Sequence, residues 1–447
     1  MLPEALPYHL KVRDHFKQQT STWEFFAAAH TREEQLAAFK TELLKNTYQF
    51  RPETDKALYE KIDLAREKLG LGALPVTVYQ AQFANDPELN ASIVYLHQEA
   101  HIVFSGPIVE RLNDAELLAV IAHELSHVRL FGFFDGELEV ADRIITAIAN
   151  NYNSEPPYYA ENWPNGKIPS FPQTSYDGPS AGVSVTPFVE TARLFKLYTE
   201  IYCDRGAYTV VGDTGPVITS LLKIATGLQE VSADSYAQQA EAVFSAAPGT
   251  QSATPTHPEN FIRTRALRLW AAEGSGAGDL IAQMIEGKPE VDRLDLFAQR
   301  ELNEMTRAFL QEYLRPAWFR STLVEGLAKE YFPKISFGGV PGGEDPAVGP
   351  GVAGSGVSDA GVTALAERIA ASHSSIRDYF AYVLLDFVLA DPSLEEMPAG
   401  RAFEFAGEML LTTAFEPVYK KELQLSDKKW QQHKQKVHEA YAGGAKD

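Results

Sequence analysis

The chain has 447 residues, 45% of them hydrophobic, which is enough for two or three domains with ordinary packed cores. Its net charge of −20 argues against nucleic acid or an anionic membrane surface as the main partner. No run of about 18 consecutive apolar residues occurs, so we expect no membrane span.

Residues 1–17 lack the apolar core of a secretory signal peptide, and Cys203 is the only cysteine, so no intramolecular disulfide can form. Both observations fit a reducing compartment, and we expect a soluble, cytoplasmic protein. We expect Cys203 itself to be a small buried residue rather than a redox or metal-binding one.

Residues 23–69 have a mostly helical pattern, and we expect residues 1–73 to form a helical segment that packs on the core. Short runs rich in β-branched residues follow at 76–79, 92–96 and 102–104. They predict a small sheet in which the last two strands form a hairpin.

His97 and His101 bracket this predicted hairpin. A spacing of four residues would suit a metal site on a helix, but a hairpin does not place these side chains on one face in the same way. We therefore expect two solvent-exposed turn histidines rather than a second metal site.

The most informative segment reads His-Glu-Leu-Ser-His at positions 123–127. Asn113, with Glu116 three residues later, forms a capping box that predicts a helix through the segment. On a helix, His123 and His127 share a face and can bind one tetrahedral ion, as in half of a zinc hydrolase site. The other interpretation is a core helix whose histidines are only hydrogen-bonded.

A third ligand would distinguish these interpretations. The metzincin pattern is excluded because Leu130 and Phe133 stand where it requires glycine and histidine. A second apolar helix is predicted over residues 186–212, with Glu200 and Asp204 one turn apart on one face. Such a pair is ordinarily a solvated helix face, but the large apolar residues around it favour Glu200 as a metal ligand and Asp204 as a carboxylate that orients a histidine ligand through its other ring nitrogen.

Taken together, His-Glu-x-x-His and the distant Glu-x-x-x-Asp-Arg-x-Ala resemble the zinc metallopeptidase family that contains the CAAX prenyl proteases, the heat-shock protease HtpX and the mitochondrial Oma-type proteases. Two further segments resemble motifs of that family. They are Asn90-Ala91-Ser92, before the hairpin, and Thr256-His257-Pro258 followed by Arg263. The resemblance covers roughly residues 74–269.

The resemblance implies a gluzincin-type zinc peptidase domain, which we place at residues 74–275. One zinc ion would be held by three side chains, namely His123, His127 and Glu200. Glu124 would be the general base that activates water. Asp204 and Arg263 would support the metal ligands.

The resemblance also implies that the strand after Asn90 is an edge strand that holds an extended substrate by β-addition. The residues in question are Asn90, Ala91, Ser92, Ile93 and Val94. His257 would stabilise the oxyanion or regulate access to the metal. Its other interpretation is an ordinary loop histidine before a proline.

The remaining segments predict the domain organisation. Residues 150–187, rich in Pro, Gly, Asn, Ser and Tyr, predict an ordered loop over the cleft, which is either a lid or a surface insertion. Residues 276–337 predict a helical extension. The glycine- and proline-rich residues 338–361 predict a flexible linker and the clearest domain boundary, followed by a helical module at residues 362–447.

We therefore predict a mostly helical α+β protein, with a small sheet beside the active-site helix and a C-terminal helical module. Its predicted function is zinc-dependent endopeptidase activity on a protein or peptide substrate. The expected lack of a membrane span departs from the prenyl proteases and HtpX and does not favour a prenylated substrate. The alternatives are a zinc hydrolase of another substrate and a latent or non-proteolytic client-binding protein, whose C-terminal module would recruit a protein partner.

Overall fold

The computed structural model describes residues 2–28, 33–82, 88–96, 99–153, 186–319, 321–333 and 359–444. Internal contacts divide the chain into a first unit, Met1–Gly287, and a second unit, Lys288–Asp447. Helices dominate the described residues, and their strands form one four-stranded sheet, so the predicted mostly helical α+β class is confirmed. Most of the predicted 150–187 loop and of the 338–361 linker lies outside the described residues.

The first unit contains the sheet and helices that precede and follow its strands along the chain. Its elements are α1 (Pro7–Lys17), α2 (Thr20–Ala28), α3 (Glu33–Asn46), β1 (Thr47–Gln49), α4 (Lys56–Lys68), β2 (Val76–Ala81), β3 (Asn90–Leu96), β4 (Glu99–Ser105), α5 (Ile108–Arg111), α6 (Asp114–Phe131), α7 (Glu137–Asn153), α8 (Thr186–Val211), α9 (Thr214–Thr226), α10 (Ala233–Ala246), α11 (Asn260–Glu273) and α12 (Gly278–Ile285). Short 3₁₀ turns at Phe133–Gly136 and Gly274–Ala277 connect neighbouring helices.

The strand order in the sheet is β1-β2-β4-β3. The β2–β4 pair is parallel and the other two pairs are antiparallel. β3 pairs with β4 from Asn90 opposite Ser105 to Leu96 opposite Glu99, and it is an edge strand of the described sheet. One face packs on α6, where Val78, Ile102 and Phe104 join the buried core of the unit. The sheet thus places an edge strand beside the helix that carries the His-Glu-Leu-Ser-His segment.

His101 corrects one expectation from the sequence. It lies inside β4 and is only 1% exposed, so the prediction of a solvent-exposed turn histidine is wrong for this residue. Alternate residues of a strand point to opposite faces, and the face of His101 is covered by Phe39 of α3. Its Nδ1 lies 3.3 Å from the hydroxyl of Tyr79. His97 lies outside the described residues.

The start of α6 is fixed by the predicted capping box. Asn113 Oδ1 accepts hydrogen bonds from the backbone N–H groups of Ala115 and Glu116. The Glu116 carboxylate accepts in return from the N–H of Asn113 at 2.9 Å and from Nζ of the buried Lys223 at 2.8 Å. A cap of this kind contributes about 1 kcal/mol, and the bond to Lys223 ties α9 to the first turn of the helix.

α6 and α8 pack unusually closely where Gly206 faces Ser126. A Cβ atom on Gly206 would lie 1.9 Å from Ser126 Oγ and 2.8 Å from Ser126 Cβ, so only glycine fits there. Glu200 and Asp204 precede this contact on α8, and His123 and His127 flank Ser126 on α6. The close approach therefore brings the two halves of the predicted site together.

α1 docks on α8 through the fully buried ring of His9. Its Nδ1 accepts a hydrogen bond from the N–H of Leu6, and its Nε2 lies 3.3 Å from Oγ1 of Thr199. The ring packs edge-on against Phe195. Burial, aided by the nearby charge of Arg205, lowers the pKa of His9 to about 3 against the opposing effect of a hydrogen bond with the backbone of Phe195.

The second unit is entirely helical in its described residues. Its helices are α13 (Leu296–Tyr313), α14 (Thr322–Tyr331), α15 (Asp359–Ala371), α16 (Ser374–Leu389), α17 (Met397–Glu408), α18 (Thr412–Glu422) and α19 (Asp427–Gly444). Short 3₁₀ turns occur at Val291–Arg293, Ala317–Phe319 and Pro392–Leu394.

The core of the second unit includes helices from both sides of a domain boundary that the composition predicted. Phe309 of α13 packs on Phe380 of α16 and Phe405 of α17, with ring centroids 4.8 and 4.9 Å apart. Helices from the predicted 276–337 extension and from the predicted C-terminal module therefore share one core, and the structure divides the chain after Gly287.

Within the described residues, no single helix combines the length and apolar character needed to cross a membrane. Taken together, the consecutive segments Asp114–Phe131 and Phe133–Ala149 have the length and composition of a membrane span, but a bend of 68° separates them.

We expect Gly206→Ala to destabilise the protein by about 1–3 kcal/mol, because its Cβ would overlap Ser126. Gly326→Ala is the control, since that helical glycine has open space around it and alanine there should be neutral or mildly stabilising. Urea unfolding measures both. The Ser126→Gly change in the Gly206→Ala protein should restore part of the loss, and equal effects at positions 206 and 326 would refute the packing argument.

We expect stability to fall below about pH 6.5 through His9. The unfolded chain binds a proton there that the folded chain, with a pKa of about 3, does not bind, so the unfolded state gains as pH falls. Between pH 7.5 and 5.0 the metal-free wild type should lose about 2 kcal/mol more than His9→Gln. Urea unfolding at the two pH values tests this, and identical pH dependence in both proteins would exclude it.

Candidate metal centre

The predicted ligands converge between α6 and α8. Glu200 Oε2 lies 3.3 Å from Nε2 of His123, and Glu200 Oε1 lies 3.7 Å from Nε2 of His127. Ligand atoms of a tetrahedral ion with bonds of about 2.0–2.2 Å lie about 3.4 Å apart. The distances from the Glu200 carboxylate to the two imidazoles are therefore close to those between ligands of one zinc ion.

Glu200 is a buried carboxylate that faces two nitrogen groups. The residue is 6% exposed, and its Oε2 accepts no well-formed hydrogen bond but lies 3.3 Å from Nε2 of His123 and 3.4 Å from Nη2 of Arg263. A buried carboxylate is costly unless it is paired with a cation or bound to metal. The chemistry of two imidazoles and one carboxylate suits zinc.

Cys203 is a second candidate for the third ligand. Potential ligand atoms of His123, His127 and Cys203 lie within 4.8 Å of one another. Burial and the neighbouring carboxylates, Glu200 first, raise the pKa of the Cys203 thiol well above its usual range, so the thiolate that binds metal is disfavoured. Although burial opposes charge on Glu200, His123 and Arg263 hold its pKa below its usual range, so its carboxylate is ready to bind a cation. Cys203 is fully buried, as the sequence predicted.

Asp204 and Arg263 hold the far side of His123. Asp204 Oδ1 accepts from His123 Nδ1 at 3.1 Å, which directs Nε2 of the ring toward Glu200. Arg263 donates to both carboxylate oxygens of Asp204, from Nε at 2.8 Å and from Nη2 at 2.7 Å. A carboxylate bonded in this way fixes the orientation of a histidine ligand.

The two histidines differ in protonation. Burial opposes charge on His123, but its interactions with Asp204 and Glu200 outweigh burial and raise its pKa to about 10. Burial lowers the pKa of His127 to about 4 and keeps that ring neutral. Metal binding at Nε2 of His123 must therefore displace a proton.

Glu124 has the environment of a general base. It is 8% exposed, and burial, with a further contribution from Glu200, raises its pKa to about 7 against the opposing charges of His123 and Arg263. A carboxyl group with a pKa near the working pH can both accept and return a proton.

His257 approaches the same carboxylate from the loop between α10 and α11. Its Nε2 lies 3.6 Å from Glu200 Oε1, and its side chain is 53% exposed. Its Nδ1 lies 2.9 Å from Oγ1 of Thr256. The structure thus brings His257 to the carboxylate of Glu200. Residues 90–94 form most of the edge strand β3, which contacts α6.

Sequence reasoning missed Arg193, which binds the loop that carries His257. Its only signal in the sequence is its position seven residues before Glu200 on the same helix, which places both on one face. The buried His9 was also missed, because its burial depends on Phe195 and Thr199 of the distant helix α8.

Residues 52–131 match the family model described as peptidase family M48. The matched segment contains β2, β3, β4 and α6, including His123, Glu124 and His127, whereas Glu200 and His257 lie outside it. Neither the curated proteins nor the solved structures include a significant match to the chain. The family implies a metallopeptidase that acts on protein or peptide substrates, and it is zinc-dependent in general.

We expect Asp204→Asn to weaken zinc binding about 10- to 100-fold, because the amide has no negative charge and would place an NH₂ donor opposite Nε of Arg263, which now donates to Oδ2. Competition with a chelator of known affinity measures the change. Asp213→Asn is the control, since that carboxylate only caps α9 through the N–H of Gly215. Equal zinc affinity in Asp204→Asn and wild type would remove Asp204 from this role.

Proposed function

We propose that this member of peptidase family M48 is a zinc-dependent endopeptidase in which Glu124 is the general base. The observation that carries the proposal is the position of the Glu200 carboxylate, 3.3 and 3.7 Å from Nε2 of His123 and His127. We assign these three side chains as the metal ligands. Bound zinc would polarise the attacking water and the scissile carbonyl and lower the pKa of the water.

Glu124 takes a proton from the attacking water and delivers it to the leaving amine. Its pKa of about 7 suits both transfers, since the group is partly ionised at neutral pH and is not too weak an acid to return the proton. The oxygen of the water becomes part of the new carboxyl group, and the peptide nitrogen leaves as an amine. The family match favours this peptidase function over the client-binding alternative.

Asp204 and Arg263 support the ligands, and His257 stabilises the transition state. The Nε2 atom of His257 lies beside Glu200 on a side chain that is half exposed to solvent, so it can donate to a substrate oxygen as negative charge develops there. Removal of one such donor typically lowers kcat about 10²- to 10³-fold.

β3 supplies the substrate-binding edge in this proposal. Its backbone has one hydrogen-bonded neighbour in the described sheet, β4, and it lies beside α6. An extended peptide paired with residues 90–94 would continue the sheet, with backbone hydrogen bonds that do not depend on peptide sequence. Such pairing suits cleavage within an unfolded segment rather than at a chain end.

The test is cleavage of an unfolded protein such as casein by the zinc-loaded protein. Glu124→Gln removes the base but none of the proposed ligands, so we expect it to retain one zinc ion and to lose about 10²- to 10⁴-fold in kcat. Glu110→Gln, on the exposed surface of α5, is the matched control and should cleave normally.

Two other outcomes are informative. Undiminished turnover by Glu124→Gln would remove Glu124 from its proposed role. Stoichiometric zinc with no cleavage by the wild type would contradict the proposed endopeptidase and support a latent or client-binding protein.

A further inference from the structure

We propose that Arg193 is a positioning residue that holds His257 at the metal centre by fixing the preceding loop residues to α8. This inference rests on the proposed function, in which His257 acts on the substrate. Arg193 lies outside the segment that matches the family model and outside the sequence motifs of the site.

Arg193 and Glu200 lie on the same face of α8. Seven residues separate them, which is nearly two helical turns and a rise of about 10 Å. Glu190, three residues before Arg193, lies on this face as well. The helix that carries the proposed third metal ligand thus also carries a partly buried ion pair at a fixed distance from that ligand.

The guanidinium of Arg193 makes two kinds of contact. Its Nε and Nη2 donate to the Glu190 carboxylate at 2.9 and 2.6 Å. Its Nη1 donates to the backbone carbonyls of Ser252 and Thr254 at 3.4 and 3.2 Å. Both charged side chains are 12% exposed. The fork with Glu190 fixes the plane of the guanidinium and leaves Nη1 directed at the loop.

Hydrogen bonds within the loop connect the residues that Arg193 binds to His257. The hydroxyl of Thr254, whose carbonyl Arg193 binds, donates to the carbonyl of His257 itself. The N–H of Ala253 donates to Glu259 at 3.0 Å, and the N–H of Ser252 donates to the carbonyl of Met284 at 2.9 Å. The loop therefore behaves as one compact turn rather than as a free tether.

A second arginine holds the other end of the segment. Arg263, six residues after His257, binds Asp204 on α8. His257 thus lies between two attachments to the same helix, Arg193 on one side and Arg263 on the other. Its own side chain is 53% exposed, so packing alone does not fix its position. A donor to a developing oxyanion must be placed to within about 0.5 Å, and the Arg193 contacts supply that restraint.

The first experiment is amide hydrogen exchange of the zinc-loaded protein, which does not depend on peptidase activity. In Arg193→Ala we expect exchange at Ser252 and Ala253 to accelerate at least tenfold, because the loop loses its attachment to α8. Arg143→Ala is the matched control, since Arg143 also pairs with a glutamate on its own helix and donates to a backbone carbonyl, but in α7. Unchanged exchange in Arg193→Ala would overturn the proposal.

The second experiment is a double-mutant cycle on kcat for casein cleavage. Arg193→Ala should lower kcat about tenfold with KM within twofold, because the contact that it loosens is made in the transition state. In the His257→Ala background the same change should have no further effect. Arg193→Lys, which keeps the charge but not the fork, should be intermediate. Independent, additive losses would show that Arg193 does not act through His257.

The two experiments separate this proposal from the proposed function. A wild-type protein that binds zinc and cleaves nothing would refute the endopeptidase, whereas the exchange measurement would still decide whether Arg193 anchors the loop. Faster exchange with additive kinetic losses would establish the anchor and reject its action on His257.

Discussion

Where α8 crosses α6, the backbone of Gly206 lies so close to the Ser126 side chain that no Cβ atom fits between them. The proposed metal ligands are divided between these helices, with the two histidines on α6 and Glu200 on α8. A shift of 1 Å at the crossing would therefore move the carboxylate by a similar distance from both imidazoles. Metal–ligand bonds tolerate only about 0.2 Å, so the steric limit at one glycine sets the dimensions of the whole centre.

Charge balance is the second constraint on the centre. Two carboxylates, Glu200 and Asp204, are buried together, and an isolated buried carboxylate costs on the order of several kcal/mol. Arg263 forms an ion pair with Asp204 and, against the effect of burial, holds the pKa of this carboxyl group below its usual range. Without metal, the proton retained by His123 balances the other. A divalent cation between the Glu200 carboxylate and His123 would replace that proton, which couples metal affinity to pH.

Much of the candidate site could be predicted from the sequence, because the spacing of residues within one helix shows which side chains share a face. The cap at Asn113 and the two carboxylates on α8 required only neighbouring residues to recognise. Features that depend on distant segments were missed or misjudged. The burial of His101 depends on α3, some sixty residues earlier, and the shared core of the second unit depends on rings from both sides of a glycine-rich segment. Arg193 binds backbone carbonyls, which have no sequence signature at all.

One face of α8 relates these parts to one another. It carries the Glu190–Arg193 pair, the proposed ligand Glu200 and the carboxylate of Asp204 along about four turns of regular helix. A regular helix fixes the distances between the residues on its face, whereas a loop has many conformations of similar energy. Because the residues around His257 are attached to this face at two points, the distance from the histidine to the metal ligand is set by helix geometry. Substitutions on this face of α8 should therefore disturb the site more than substitutions of the exposed loop side chains themselves.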